Sequence, residues 1–180
     1  MAELSTLPDY LQKGLDIVFV GLNPSLYSVQ VGHYFANPRN RFWPALNRSG
    51  LVPGEVTAGR DASLLDHRIG FTDVVKRPTA QGSGLNAADY RHWAPVLKSK
   101  LLDYQPLIAC FHGVMAYKAY LRYAEGVKEN PDLGLQPRTI GESQVFVVPN
   151  PSPANAVYSL DDLAHWYQNL KSLREELGGC

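Results

Sequence analysis

Residues 16–25, DIVFVGLNPS, set the terms on which the chain is read. Asp16 to Val20 has the β-branched and aromatic side chains of a strand buried on both faces. Gly21 ends it, and Asn23-Pro24-Ser25 are turn residues that hand the chain on. The pattern recurs. PLIACF (106–111) reads as a strand, followed by His112-Gly113-Val114 and a helix through Tyr123. QVFVVP (144–149) reads as another, ending in NPSPANA (150–156), and FTDVV (71–75) as a short one. Apolar strands that alternate with helices predict a parallel sheet covered on both sides.

The helices announce themselves by caps and spacing. NRFWPALNRSGL (40–51) predicts a short helix with Phe42, Leu46 and Trp43 inward, Pro44 in its first turn and Gly50 as its stop. DASLLDHRIG (61–70) predicts a second, closed by Gly70. Asn86, with Asp89 three residues on, is a capping-box pair that opens a helix carrying Tyr90, Trp93, Leu97 and Leu101 at helical spacing, with Pro95 expected to kink or split it. Ser159 and Asp162 open the last, whose apolar face is Leu160, Leu163, Tyr167, Leu170, Leu173 and Leu177. KRPTAQGSGLN (76–86) and EGVKENPDLGLQP (125–137) read as polar connections. The expected architecture is a three-layer α/β/α sandwich around a mostly parallel sheet of about four or five strands. Residues 1–180 form one domain in this reading, with no repeat or linker.

Bulk composition narrows the function. The 17 basic residues balance 17 acidic ones, which argues against coating nucleic acid by charge alone but leaves room for a local basic patch. Two cysteines, Cys110 and Cys180, suggest neither a disulfide framework nor a Cys-ligated metal or iron–sulfur site. The five histidines are scattered, and no metal set or cofactor is expected. No signal or membrane-length apolar run is visible, so a cytoplasmic protein is expected.

In parallel α/β folds ligands sit at the carboxyl ends of strands. GLNPS (21–25), HGV (112–114) and NPSPANA are predicted to meet there, two of them carrying Asn-Pro-Ser. GLNPS lacks the Lys-Ser/Thr ending of a phosphate loop and the further glycines of a dinucleotide fingerprint. GHYFANPRNRFW (32–43) adds a dense aromatic and basic block. Phe42 and Trp43 fit a helix face and the core. Phe35, in a polar loop, is free to stack on something flat, and rings near arginine suit a nucleobase.

GLNPS, GHYFANPRNRFW, GFTDVVKRPT (70–79) and VVPNPS (147–152), in this order and spacing, resemble the mismatch-specific uracil/thymine-DNA glycosylases of the uracil-DNA glycosylase superfamily. The likeness runs from about Asp16 to Tyr167. It implies a nucleoid-associated monomer, a monofunctional enzyme of base excision repair. Such an enzyme flips uracil, or another damaged or mismatched base, out of DNA and hydrolyses its N-glycosidic bond to leave an abasic site. It implies Asn23 as the catalytic asparagine that positions a water, and Phe35 as the ring under the base. Backbone N–H groups near Leu22 and Phe35 would bind base oxygens, and Ser25, Tyr34 and Asn40 complete the base-binding set. Asp73 departs from the commonest pattern: it is either a second catalytic group that activates the water or an ion-paired carboxylate, for instance with Arg77. DNA contacts are expected from Arg39, Lys76 and Arg77, and from Asn150, Ser152, Pro153, Ala154 and Asn155 of the closing loop. Arg41 and Lys118 are further candidates, Arg41 alternatively structural and Lys118 alternatively a solvated charge. That loop lacks the bulky wedge of many relatives, which leaves strict mismatch preference open. His33 and His112 are expected to be structural, with His112 near the pocket mouth. A catalytically weak damaged-DNA or nucleotide binder of the same fold, and a nucleoside hydrolase, stay open as alternatives.

Overall fold

The computed structural model describes residues 5–180. In chain order its elements are β1 (Ile17–Gly21), α1 (Leu26–Val31), α2 (Phe42–Ser49), a 3-10 segment (Ala58–His67), β2 (Ile69–Asp73), α3 (Ala87–Tyr104), β3 (Ile108–His112), α4 (Val114–Tyr120), β4 (Gly134–Ile140), β5 (Ser143–Val148) and α5 (Leu160–Glu176). The five strands form one sheet in the order β2-β1-β3-β5-β4, parallel except for β4, which runs against β5. The predicted α/β/α architecture is the observed one.

Strand periodicity builds the two cores. Along β1, Ile17 and Phe19 point to one side, Val18 and Val20 to the other. The first set joins Phe71, Cys110 and Val148 against α2 and α5, where Phe42, Leu46, Tyr167 and Leu170 are fully buried. The second joins Ala109, Phe111 and Val147 against α3 and α4, whose Leu97, Leu101 and Tyr120 cover it. The predicted capping box of Asn86 with Asp89 forms, and the Ser159 cap proves to be a second one, with Asp162. Gly50 ends α2 in the left-handed region at φ 70°.

Four expectations are corrected. Residues 134–140 are a strand, not a polar connection. As the sheet's edge β4 shows solvent most of its residues, and a register break between Leu135 and Thr139 accommodates Pro137, so the unbroken apolar run that marks inner strands is missing. Gly70 does not close the preceding helix; Arg68 takes the left-handed cap at φ 59° and Gly70 lies inside β2. A Cβ there would stand 2.1 Å from the Tyr10 carbonyl, because the N-terminal segment pairs with Phe71 across that point. Pro95 does not split α3, which runs unbroken for 18 residues. The proline is exposed, so the carbonyl it deprives of a partner faces water. At the C-terminal end of α5, Leu177 lies outside the helix and is exposed rather than part of the buried face. Among the described residues no helix is long and apolar enough to cross a membrane.

Candidate active site

A cleft of about 670 Å³ opens at the carboxyl ends of the parallel strands. Each strand that reaches it delivers a loop: Gly21 to Ser25 from β1, Asp73 from β2, His112 from β3 and Asn150 to Asn155 after β5. The two Asn-Pro-Ser turns therefore face the same space. The cleft lies where the sheet order reverses, at β1, with β2 on one side and β3 on the other.

Asn23 is held by the loop after β2. Its Nδ2 donates to Thr79 Oγ1 at 2.8 Å and to the Arg77 carbonyl at 3.0 Å. The Thr79 hydroxyl spends its proton on the Gln81 carbonyl, 2.6 Å away, so its oxygen accepts from Asn23 and fixes which end of the amide is nitrogen. The carbonyl end, Oδ1, is the acceptor this leaves for the cleft. The same loop is zipped to GLNPS by backbone bonds from Val75 to Leu22, Leu26 to Thr79 and Thr79 to Pro24. Ser25 caps α1 by accepting from Ser28 N–H at 3.0 Å.

Phe35 lies in the cleft wall on strained backbone, φ 52°. One face of its ring stacks on Phe42 at 4.4 Å, so its orientation is set by the core. Tyr34, expected at the base, is mostly core: it is buried, stacks on Phe71 at 4.9 Å and gives its hydroxyl to the Pro8 carbonyl, leaving an edge for the cleft. Asn40 accepts from Phe42 N–H with Oδ1, which leaves its amino group as what it can offer a ligand. Leu22 completes this side.

Asp73 ends β2 and is 5% exposed. It packs against Gly21, where a Cβ would come within 2.8 Å of its Oδ1. Its other oxygen meets Lys76 Nζ at 2.8 Å, so the ion-pair partner is Lys76 and not Arg77. Lys76 also contacts Asp9 at 3.0 Å, and Lys100 meets the second Asp9 oxygen at 2.6 Å. Burial pushes the Asp73 carboxyl up, and Lys76 pulls it back only in part. For Lys76 burial works against the charge, but the two carboxylates outweigh it and hold the ammonium above its ordinary value. Burial also raises Asp9, yet Lys76 and Lys100 bring it below the usual carboxylate value.

Lys76 thus corrects an expectation: it is 4% exposed and fully engaged, with no free ammonium for a phosphate. Arg77 is engaged as well, bidentate to Asp89 at 2.7 Å for each contact and bonded to the Gly84 carbonyl. Arg39 is exposed, between the cleft-lining Asn37 and Asn40, and Lys118 is exposed on α4. Arg41 is structural: its guanidinium donates to the carbonyls of Ser152, Asn155 and Tyr158, binding the closing loop to the start of α2. Within that loop Asn150 Oδ1 accepts from Ser152 N–H, and Asn155 donates its amide to the Asn150 carbonyl. Asn155 is therefore turned into its own loop, while Pro153 and Ala154 are exposed at its tip.

His33 pairs with Asp61 at 3.0 Å, outside the cleft. His112 is in the wall. Its ring lies on Phe19 at 5.1 Å, Nε2 meets the Tyr167 hydroxyl at 2.9 Å, and Nδ1 is buried without a partner. Burial pushes it down to about 3, so it is neutral near neutral pH. Sequence pattern gave no sign of Leu7, which lines the cleft, or of Asp9 beneath it. Thr79 lay inside a quoted motif, but its role depends on Asn23 arriving from another strand.

A parallel sheet with an aromatic wall, amides and a buried carboxylate gathered at its strand ends defines an α/β protein built to take a flat, polar ring. The sequence says which kind. Residues 8–174 match the family model of the uracil DNA glycosylase superfamily, and the chain belongs to that superfamily: it is a DNA glycosylase, a hydrolase of N-glycosyl bonds. Its fold is similar to a solution NMR structure from Methanosarcina acetivorans, a protein provisionally named a uracil DNA glycosylase. The likeness has a TM-score of 0.59 at 23% identity, over 97% of this chain and 98% of that one.

Proposed function

We propose that the protein is a monofunctional glycosylase of base excision repair that acts on uracil extruded from DNA, and that it belongs to the mismatch-specific branch. The observation that carries this is the pinned amide of Asn23: with Nδ2 tied to Thr79 and Arg77, Oδ1 is set to accept from a water in the cleft that Asp73 also lines. The extruded base stacks on Phe35, and N–H groups of Leu22 and Phe35 with the Asn40 amide bind its oxygens. As the bond from C1′ to the base nitrogen breaks, the electron pair leaves with the base and the sugar becomes oxocarbenium-like. The water held by Asn23 adds to C1′ and gives its proton to Asp73, which is a stronger base than an ordinary carboxylate because it is buried. Uracil tolerates the departing charge, so donors to its oxygens suffice in place of a strong acid.

Lys76 is held as an ammonium between two carboxylates and is no nucleophile, which supports hydrolysis without a lysine-linked intermediate or strand cleavage. Ser25 is small and its hydroxyl oxygen caps a helix by accepting from Ser28 N–H, so its size does not bar a thymine methyl. The closing loop lies toward the minor groove, with Pro153 and Ala154 at its tip and Arg39 at a phosphate.

A duplex oligonucleotide with one uracil opposite guanine tests this. After incubation and alkaline cleavage of abasic sites, the expected result is a single cut at the uracil position, absent before alkali. Tight retention with no cut would favour a damaged-DNA binder, and release of base from free deoxyuridine only would favour a nucleoside hydrolase.

A further inference from the structure

Residues 6–10 carry no catalytic motif, yet they are bound to the site one after another. Thr6 donates its hydroxyl to the Lys76 carbonyl, Leu7 lines the cleft, and the Pro8 carbonyl accepts from Tyr34 at 2.8 Å. Tyr10 exchanges both backbone bonds with Phe71. Between them Asp9 accepts from Thr72 at 2.8 Å and meets Lys76 and Lys100, one on each oxygen. Gly70 exists to let this segment approach so closely. A strap that only covered the sheet end would use apolar side chains. Asp9 is partly desolvated, its side chain 19% exposed, and that cost is offset only by the two ammonium groups it meets.

We propose that Asp9 is a positioning residue: through Lys76 it holds the carboxylate of Asp73 in place and governs its charge, with Lys100 as the counterweight nearer solvent. This rests on the reading of Asp73 as the proton acceptor. The chain of charge runs Asp73, Lys76, Asp9, Lys100, from a fully buried group to one whose side chain is 25% exposed. Lys76 is shared, so each carboxylate has only part of it. The groups that face Asp73 are Lys76, Asp9, Lys100 and the Tyr34 hydroxyl, the last 3.3 Å from Lys76. Beyond Tyr34 stand Tyr10 and Asp61, the latter paired with His33. Neutral His112 lies elsewhere in the cleft wall.

The signs follow. Asp9 repels the Asp73 charge and Lys100 attracts it. Excision needs Asp73 ionised, so the rate falls on the acid side as Asp73 takes up a proton. Removing the Asp9 charge lets Asp73 ionise more readily and moves the acid limb to lower pH. Removing the Lys100 charge moves it to higher pH. A role confined to packing scales the rate at every pH and moves neither limb.

The experiment is the pH profile of single-turnover uracil excision by the full chain and by Asp9→Asn and Lys100→Met. Opposed shifts, downward for Asp9→Asn and upward for Lys100→Met, are expected. No shift, or shifts in the same sense, overturn the proposal. Lys100 is partly exposed and its loss is the safer change; should Asp9→Asn fail to fold, as judged by thermal melting, the Lys100→Met arm decides alone. Asp73→Asn separates the two levels. If it leaves rate and profile untouched, both the proton-acceptor reading and this proposal fail. If it abolishes the acid limb while the other variants move nothing, only this proposal fails.

Discussion

At the scale of the residue, the site depends on atoms that have nowhere else to go. Gly21 is required because Asp73 Oδ1 occupies the space a side chain would take. Asp73 is tethered by Lys76 and cannot swing aside freely. Gly21→Ala is therefore expected to fold, displace Asp73 and lower single-turnover excision by about 10²-fold, the lower end of what a positioned base contributes. Full activity in this variant would show that the carboxylate's place is not critical. His112 gives a second expectation. Its pKa, about 3, follows from burial, with no carboxylate partner. In ¹⁵N spectra it should stay neutral across the mildly acidic range in which a solvated imidazole acquires a proton. A titration of His112 near the ordinary imidazole value would mean the wall is wetter than its packing implies. That Asn23 and Phe35 reach the cleft was legible from the strand-end turn and the polar loop that carry them. The occupation of Lys76 was not, because Asp9 arrives from a distant stretch, and a lysine three residues after Asp73 looks the same whether buried or solvated.

Elements set the limits of what sequence can foretell. Capped helices and inner strands were legible because their signals are local: an Asn86–Asp89 pair, or an unbroken apolar run such as PLIACF. Strand β4 was not, since an edge strand with a proline and a register break has no periodicity to detect. Gly70 looked like a helix stop because close approach by Tyr10 leaves no trace in neighbouring residues. The closing loop depends on Arg41, three of whose hydrogen bonds reach carbonyls more than a hundred residues away. Arg41→Ala removes those donors and leaves the carbonyls of Ser152, Asn155 and Tyr158 to water or to nothing. The expected effect is a loss of about 1–3 kcal/mol in stability, faster amide exchange confined to the loop, and weaker binding of duplex DNA. Unchanged exchange across residues 150–158 would contradict the assigned role.

For the molecule as a whole, the layers and the meeting of two Asn-Pro-Ser turns follow from strand order alone, whereas the electrostatics of the site do not. The charges sum to zero over the chain, yet they are sorted. Two lysines and two aspartates form one partly to fully buried cluster behind the cleft, and Arg39 remains exposed beside it. Neutrality in bulk thus coexists with a site that holds a carboxylate out of water beside its own counter-charge. The central claim is that this carboxylate receives the water proton during bond cleavage. Single-turnover excision of uracil from a U·G duplex by Asp73→Asn, followed across pH, tests it most directly. Asparagine keeps the shape and removes the basicity. The expected rate is lower by about 10²- to 10⁴-fold near neutral pH, and the acid limb disappears; an unaltered rate with the acid limb in its original place would rule out that role for Asp73.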